Sequence, residues 1–125
     1  MLLNRRTMLQ AGIGIVALGL SGCKNTKTTV VFINNLTTAL SVNAQSNGLK
    51  FKKNNIQPGS FAKSNYRSNA ASGTVTDVTG TVTPAGFPPV DLGAFFLTVT
   101  LGFTNTYSVS LDPLTSAVLV SAIVS

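Results

Sequence analysis

The segments "AFFLTVTL" (residues 94–101), "TYSVSL" (106–111) and "AVLVSAIV" (117–124) decide the fold class of this 125-residue chain. Each is rich in β-branched and aromatic residues, which favour strands because their side chains fit a pleated surface. The turn-forming segments "GFTN" and "DPLTS" separate them. Because they are the most apolar segments after the N-terminal region, we expect them to form the central strands of the core.

The preceding sequence shows the same organisation. Alternation is clearest in "ALSVNA" (39–44), where Leu40, Val42 and Ala44 share one face, and "TVTDVTGTVT" (74–83) consists largely of Thr and Val. Turn signals recur about every 8 to 12 residues, and no segment after the first 22 residues has a helical period. The pattern predicts an all-β domain over residues 30–125, a small antiparallel β-sandwich or barrel of about eight strands.

The side-chain inventory argues against an enzyme. The chain has no His, no Glu, three Asp and one Cys, whereas general acid–base catalysis and metal sites draw on these residue types. We expect Asp112, which precedes Pro113, to cap the backbone of a turn and Asp91 to be another turn residue. The pattern SxxK occurs at Ser60–Lys63, but it enters a predicted strand, and the other elements of that serine-nucleophile family are missing. We therefore expect no catalytic residue, no metal and no cofactor.

The basic residues all lie at or before Arg67. The densest cluster, Lys50, Lys52 and Lys53 in "KFKK", is typical of a solvated strand edge that resists edge-to-edge pairing. It is also a candidate contact surface for anionic lipid or a glycan. Three lysines near a turn are too few to indicate nucleic acid, which we do not expect as a partner.

The loop "PAGFPPVDLG" (84–93) contains three prolines and cannot pair as a central strand. Phe87, at its centre, is the second candidate contact residue. Two alternatives remain open for its side chain: it forms an exposed apolar tip, or it folds back and closes the end of the sandwich.

The N-terminus has the organisation of a secretory signal peptide. Arg5 and Arg6 precede an apolar run over residues 11–20, which is too short for a transmembrane helix of about 20 residues. "NRRTMLQ" resembles the twin-arginine export motif at Arg5, Arg6 and Leu9, although Gln10 and Asn4 depart from it. Export by the general secretory route is the alternative.

The end of this signal, Leu20, Ser21, Gly22 and Cys23, resembles a bacterial lipobox. The resemblance implies that residues 1–22 are removed, that the thiol of Cys23 carries diacylglycerol, and that the new N-terminus is acylated. Two or three acyl chains hold a protein firmly on a bilayer. The alternative is an ordinary signal peptide with a Cys near its cleavage site.

These features predict a lipid-anchored protein of the bacterial cell envelope. Residues 23–29 would form a polar tether, and Lys24 after the lipidated Cys indicates the outer membrane if the host is Gram-negative. We expect the β-domain to be a non-enzymatic binding or structural module that contacts an envelope protein or a glycan. The alternative function is a membrane-active protein whose apolar strands and Phe87 engage lipid.

Overall fold

The computed structural model of the protein describes residues 26–125, which form two four-stranded sheets and a small two-stranded one. The two larger sheets pack in a sandwich-like arrangement and no barrel is closed, so the predicted sandwich is confirmed. The ten strands are β1 (Thr26–Asn34), β2 (Leu40–Ser46), β3 (Leu49–Ile56), β4 (Phe61–Ser68), β5 (Val75–Asp77), β6 (Thr79–Pro84), β7 (Val90–Asp91), β8 (Thr98–Thr100), β9 (Thr104–Leu111) and β10 (Val118–Val124).

The first sheet has the strand order β10-β9-β1-β4. β9 pairs with β10 and β1 pairs with β4 in antiparallel fashion, but β1 and β9 run parallel, from Thr29 beside Thr104 to Asn34 beside Val109. A parallel pair needs a long crossover connection. The chain supplies one because it builds the whole second sheet between these two strands. This one pair departs from the antiparallel pairing of the predicted sandwich.

The second sheet has the order β3-β2-β6-β7 and is antiparallel throughout. The tight turn Asn47–Gly48 joins β2 to β3, and both residues have positive φ (46° and 85°), as a type I′ hairpin turn requires. β5 and β8 form the two-stranded sheet. The one helical element between residues 26 and 125 is a 3₁₀ helix at Leu92–Phe95.

The core lies between the two large sheets and centres on three aromatic rings. Phe32 of β1 packs on Phe51 of β3 and on Tyr107 of β9, with both centroid distances 4.9 Å. Phe32 and Tyr107 are each 1% exposed. Such aromatic pairs contribute about 0.5–1.5 kcal/mol beyond their buried area. The predicted inward face of β2 is confirmed, since Leu40, Val42 and Ala44 are all buried.

Two of the three segments expected at the centre of the core occupy it only in part. β10 is an edge strand in which only Val120 is buried, because the facing second sheet ends in the two-residue strand β7 and leaves this edge uncovered. The segment "AFFLTVTL" is divided: its first two residues end the 3₁₀ helix, and Phe96 is 90% exposed in a left-handed conformation. The remainder reaches the core, where three of its residues are buried: Leu97, Val99 and Leu101. The third segment forms β9, which is a central strand as predicted.

The first strand begins at Thr26, so residues 26–29 of the predicted tether belong to the first sheet. Thr26 Oγ1 donates to the carbonyl of Ala70 (2.7 Å), and the buried Thr28 Oγ1 accepts from the amide of Gly102 (3.0 Å). These threonines, which the sequence predicts as part of a polar linker, are thus fixed by hydrogen bonds to two loops. The first sheet therefore already includes the segment 26–29, which the sequence assigned to the tether.

Candidate functional site

The predicted contact surface Lys50, Lys52 and Lys53 lies on β3, the edge strand of the second sheet, and all three side chains are exposed. Lys50 and Lys52 share the outer face of this sheet, whereas Lys53 pairs with Val42 on the inner side. The pairing of β2 with β3 is irregular between Leu40 and Val42. An inward-facing charge and a register irregularity both hinder the addition of another strand. The expected role as a protected edge is therefore consistent with the observed geometry.

The neighbouring edge strand, β4 of the first sheet, carries further basic residues on the other outer face of the sandwich. Lys63 and Arg67 are exposed on its outer face, and Arg67 pairs with Lys27 of β1. Tyr66 Oη donates to the carbonyl of Lys50 (2.6 Å), which joins β4 to β3 across the two sheets. The six Lys and Arg residues between positions 26 and 125 thus all lie on β1, β3 and β4.

The sequence pattern predicts only the lysines of β3 as contact residues, whereas the structure adds Lys63, Arg67 and Lys27. The strand that carries Lys63 and Arg67 lies next to β3 because the connection between β3 and β4 passes from one sheet to the other. The short link "QPGS" is the signal in the sequence that could have indicated that β3 and β4 are neighbours, because four residues hold the end of β3 close to the start of β4.

Phe87 lies at the opposite end of the sandwich from Lys50. It follows β6 in a turn where its amide donates to the carbonyl of Pro84 (3.0 Å), and its side chain is 47% exposed. It helps to line a small cavity of about 20 Å³ together with Leu36, Pro84, Leu111 and Val118. Each open alternative is thus partly met, because the ring covers the end of the sandwich and also faces solvent. The structure does not bring Phe87 and the β3 lysines into one site.

The acidic residues do not converge. Asp91 Oδ1 accepts from the amide of Gly93 (2.9 Å) and caps the 3₁₀ helix, and Asp112 Oδ1 accepts from the amide of Leu114 (2.9 Å). The predicted capping role of Asp112 is confirmed, and Asp91, predicted only as a turn residue, also caps. Asp77 lies in β5 opposite Thr98. Among residues 26–125, no three His, Cys, Asp or Glu side chains are grouped as metal ligands.

The SxxK pattern also lacks the geometry of its enzyme family. Ser60 precedes β4 and Lys63 lies within it, so the two residues stand on extended chain as predicted and not at a helix start. The cavity between the sheets, lined by Phe32, Phe51, Tyr66, Tyr107 and their neighbours, measures about 20 Å³. This volume holds about one water molecule. Drug-sized ligands need pockets of about 300 Å³ or more.

The two tyrosines at this cavity are structural. Tyr107 is buried, its hydroxyl donates to the carbonyl of Thr98, and burial raises its pKa well above the ordinary value. Burial also raises the pKa of Tyr66. Both phenols therefore stay protonated at neutral pH and serve as hydrogen-bond donors that tie strands together.

The export motif (Arg5, Arg6, Leu9), the lipobox (Leu20, Ser21, Gly22) and Cys23 lie outside the described residues. In the part of the chain that is described, no helix has the length and apolar character needed to cross a bilayer. Comparison with known proteins finds no matching family and no similar curated sequence.

Proposed function

We propose that the protein is a membrane-anchored bacterial lipoprotein whose β-sandwich is a non-enzymatic binding or structural module at the cell envelope. The observation that carries the proposal is the short distance between the lipobox and the fold. β1 begins at Thr26, three residues after Cys23. Three residues of extended chain span at most about 11 Å. An acylated Cys23 would therefore hold the domain directly against the bilayer.

The residues beside this attachment point suit an anionic membrane surface. Lys27 is the second residue of β1, four positions after Cys23, and pairs with Arg67 on the neighbouring strand; both side chains are exposed. Each Lys or Arg close to an anionic surface contributes about 1 kcal/mol of attraction. Anionic headgroups would thus orient the domain, and the remaining surface would be left for an envelope protein or a glycan.

A non-enzymatic role is supported by the chemistry of the domain. Asp91 and Asp112 are engaged in turn capping, and the interior cavity has room for about one water molecule. Neither a nucleophile with its base nor an enclosed substrate pocket appears among the described residues. The features that are available for contact are the basic strands and the apolar loop ends.

The variant Cys23→Ser tests the anchoring. In a bacterial host, the unchanged chain should take up a radiolabelled fatty acid and be cut after Gly22, because the thiol is the acceptor of diacylglycerol. Cys23→Ser should show neither, whereas the control Asn25→Ser, two residues outside the motif, should behave as the unchanged chain. Cleavage after Gly22 and membrane retention in Cys23→Ser would disprove lipidation.

A second candidate function, a membrane-active β-sandwich, is favoured by the apolar end of the molecule opposite the attachment point. Phe87 is 47% exposed and Leu114, in the loop between β9 and β10, is 92% exposed. The test is leakage of anionic vesicles by a version that lacks residues 1–23. Leakage that disappears in Phe87→Ser with Leu114→Ser would support this function, and an absence of lipid binding would exclude it.

A further inference from the structure

The free edge of the first sheet is the outer side of β10, and it differs in composition from the other sheet edges. β10 has the sequence "VLVSAIV", with no charge, no Pro and no Gly. Five of its seven residues are exposed, and Ile123 is 70% exposed. An exposed, uncharged and apolar edge strand is a template for pairing with another strand.

The three other edges of the large sheets are protected against such pairing. β3 carries Lys50, Lys52, Lys53 and a register irregularity. β4 carries Lys63 and Arg67, and β7 is only two residues long. Charge, irregular pairing and shortness are the devices by which sheet proteins avoid edge-to-edge association. β10 uses none of them.

The hydrogen bonds of β10 show which backbone groups face outward. Thr104 and Ser125 exchange both of their N–H···O bonds (2.8 and 2.9 Å), so they form a hydrogen-bonded pair of the antiparallel ladder. Hydrogen-bonded and non-hydrogen-bonded pairs alternate along such a ladder. The N–H and C=O groups of Val118, Val120, Ala122 and Val124 therefore point away from β9. No strand among the described residues pairs with them.

We infer that this edge binds the same strand of a second copy of the chain, in antiparallel register about a two-fold axis at Ser121. Val118 then pairs with Val124 of the second copy, and Val120 pairs with Ala122 of the second copy. Every outward N–H and C=O group of β10 gains a partner. The two four-stranded sheets become one sheet of eight strands.

The side chains also match in this register. Leu119 and Ile123 lie on the outer face of β10, since they pair with Ser110 and Thr106 of β9. Leu119 comes to lie beside Ile123 of the second copy, which covers two of the exposed apolar side chains of each chain. Because β10 carries no charge, the two-fold axis brings no like charges together, whereas pairing of two β4 strands would do so.

The charged strands also limit the assembly to two copies. After β10 has paired, the outer edges of the eight-stranded sheet are the two β4 strands, each with Lys63 and Arg67 on it. The same patch is used by both copies, so the interface is closed. The structure therefore favours a dimer over an open fibre.

A disulfide between two copies tests the register. Ser121 faces its equivalent in a non-hydrogen-bonded pair, where Cα atoms are about 4.5 Å apart. Ser121→Cys, made in the full chain with Cys23→Ser so that it is the only thiol, should form an intermolecular disulfide on mild oxidation in detergent. In the control Ser110→Cys, on the same face of β9, the equivalent residues are at least three strand spacings or about 14 Å apart. Equal cross-linking in the two variants, or none in Ser121→Cys, would overturn the inference.

A proline tests the backbone pairing. The N–H of Ala122 points to the free edge, so Ala122→Pro leaves the bonds of β10 to β9 intact and removes a donor from the interface. Sedimentation of the full chain in detergent should show a dimer, Ala122→Pro should be a monomer with unchanged circular dichroism, and Ala122→Thr, which keeps the N–H, should remain a dimer. A dimer that persists in Ala122→Pro would show that association uses another surface.

Discussion

Replacement of Asn34 should destabilise the sandwich more than its position at the end of a strand suggests. Asn34 is the last residue of β1 and is fully buried. Its Nδ2 donates to the carbonyls of Thr38 (2.9 Å) and Ile56 (2.8 Å), and its Oδ1 accepts from the amide of Leu36 (2.9 Å). One side chain thus joins the end of β1, the following loop and the end of β3.

The magnitude follows from the partners that are left behind. Asn34→Ala removes all three bonds, and a buried backbone group without a partner costs about 1–3 kcal/mol. The carbonyl of Thr38 is half-buried and can recover a bond to water, so the carbonyl of Ile56 and the amide of Leu36 carry most of the loss. We expect the free energy of unfolding to fall by about 3–5 kcal/mol, a large share of the 5–15 kcal/mol typical of a domain.

The adjacent residue supplies the control. Asn35 is exposed and its Nδ2 donates to Ser108 Oγ (2.6 Å), so Asn35→Ala should change the free energy of unfolding by no more than about 0.5 kcal/mol. The measurement is urea unfolding of residues 24–125, followed by circular dichroism at neutral pH. A loss below about 1 kcal/mol in Asn34→Ala, or equal losses in the two variants, would refute the assignment of the stabilisation to these buried bonds.

Two further predictions concern the sheet interior. Gly80→Ala should prevent stable folding, because Gly80 has a φ of 120° and an added Cβ would collide with the carbonyl oxygen of Asn43. The control Gly48→Ala lies at a turn with open space and should cost only about 1 kcal/mol of the free energy of unfolding. Thermal unfolding compares the two variants, and equal stabilities would contradict the steric argument. Tyr107→Phe should lower the free energy of unfolding by about 1–2 kcal/mol through loss of the bond to the carbonyl of Thr98. Because burial raises the folded-state pKa of Tyr107, its contribution is present below about pH 10 and is lost as the pH rises above that value. The free energy of unfolding, measured by urea titration at neutral pH and again above pH 10, should therefore fall more in the unchanged domain than in Tyr107→Phe. Equal decreases in the two proteins would contradict this expectation.

The sequence predicted the fold class and the inward face of β2 because both depend on local patterns. The period-two alternation of Leu40, Val42 and Ala44 matches their burial residue by residue. The position of β10 was not predictable in this way. Its apolar composition is that of a buried strand, but burial also depends on whether the opposite sheet covers the strand. The opposite strand β7 is only two residues long and covers little of β10.

The start of β1 was missed for a related reason. Thr26 and Thr28 are polar in the sequence and resemble a linker. In the structure Thr26 donates a hydrogen bond to one loop that is distant in sequence, and Thr28 accepts a hydrogen bond from another.

For the candidate site, the exposure of Lys50 and Lys52 followed from local alternation, whereas that of Lys53 did not. The position of Lys63 and Arg67 on a strand next to β3 depends on the packing of two different sheets, which a local sequence pattern does not encode.

The distribution of charge over the four sheet edges connects the proposed function with the inferred dimer. Charged residues make up only 10% of the chain, and the six basic residues of the described part lie on β1, β3 and β4. The basic side of the sandwich repels copies of itself and attracts anions, whereas the β10 side is uncharged and accepts a further strand.

A two-fold axis at Ser121 is perpendicular to the sheet, so the β1 strands of the two copies run in opposite directions. If Cys23 is acylated as proposed, both anchors reach one leaflet only when the sheets lie along the bilayer. The outer face of the first sheet, which carries Lys27, Lys63 and Arg67, then faces the lipid headgroups. Substitution of these three residues by Ala should therefore weaken binding of the dimer to anionic vesicles, whereas the matched triple variant at Lys50, Lys52 and Lys53 should not. Equal weakening in the two triple variants would show that the domain does not lie on this face.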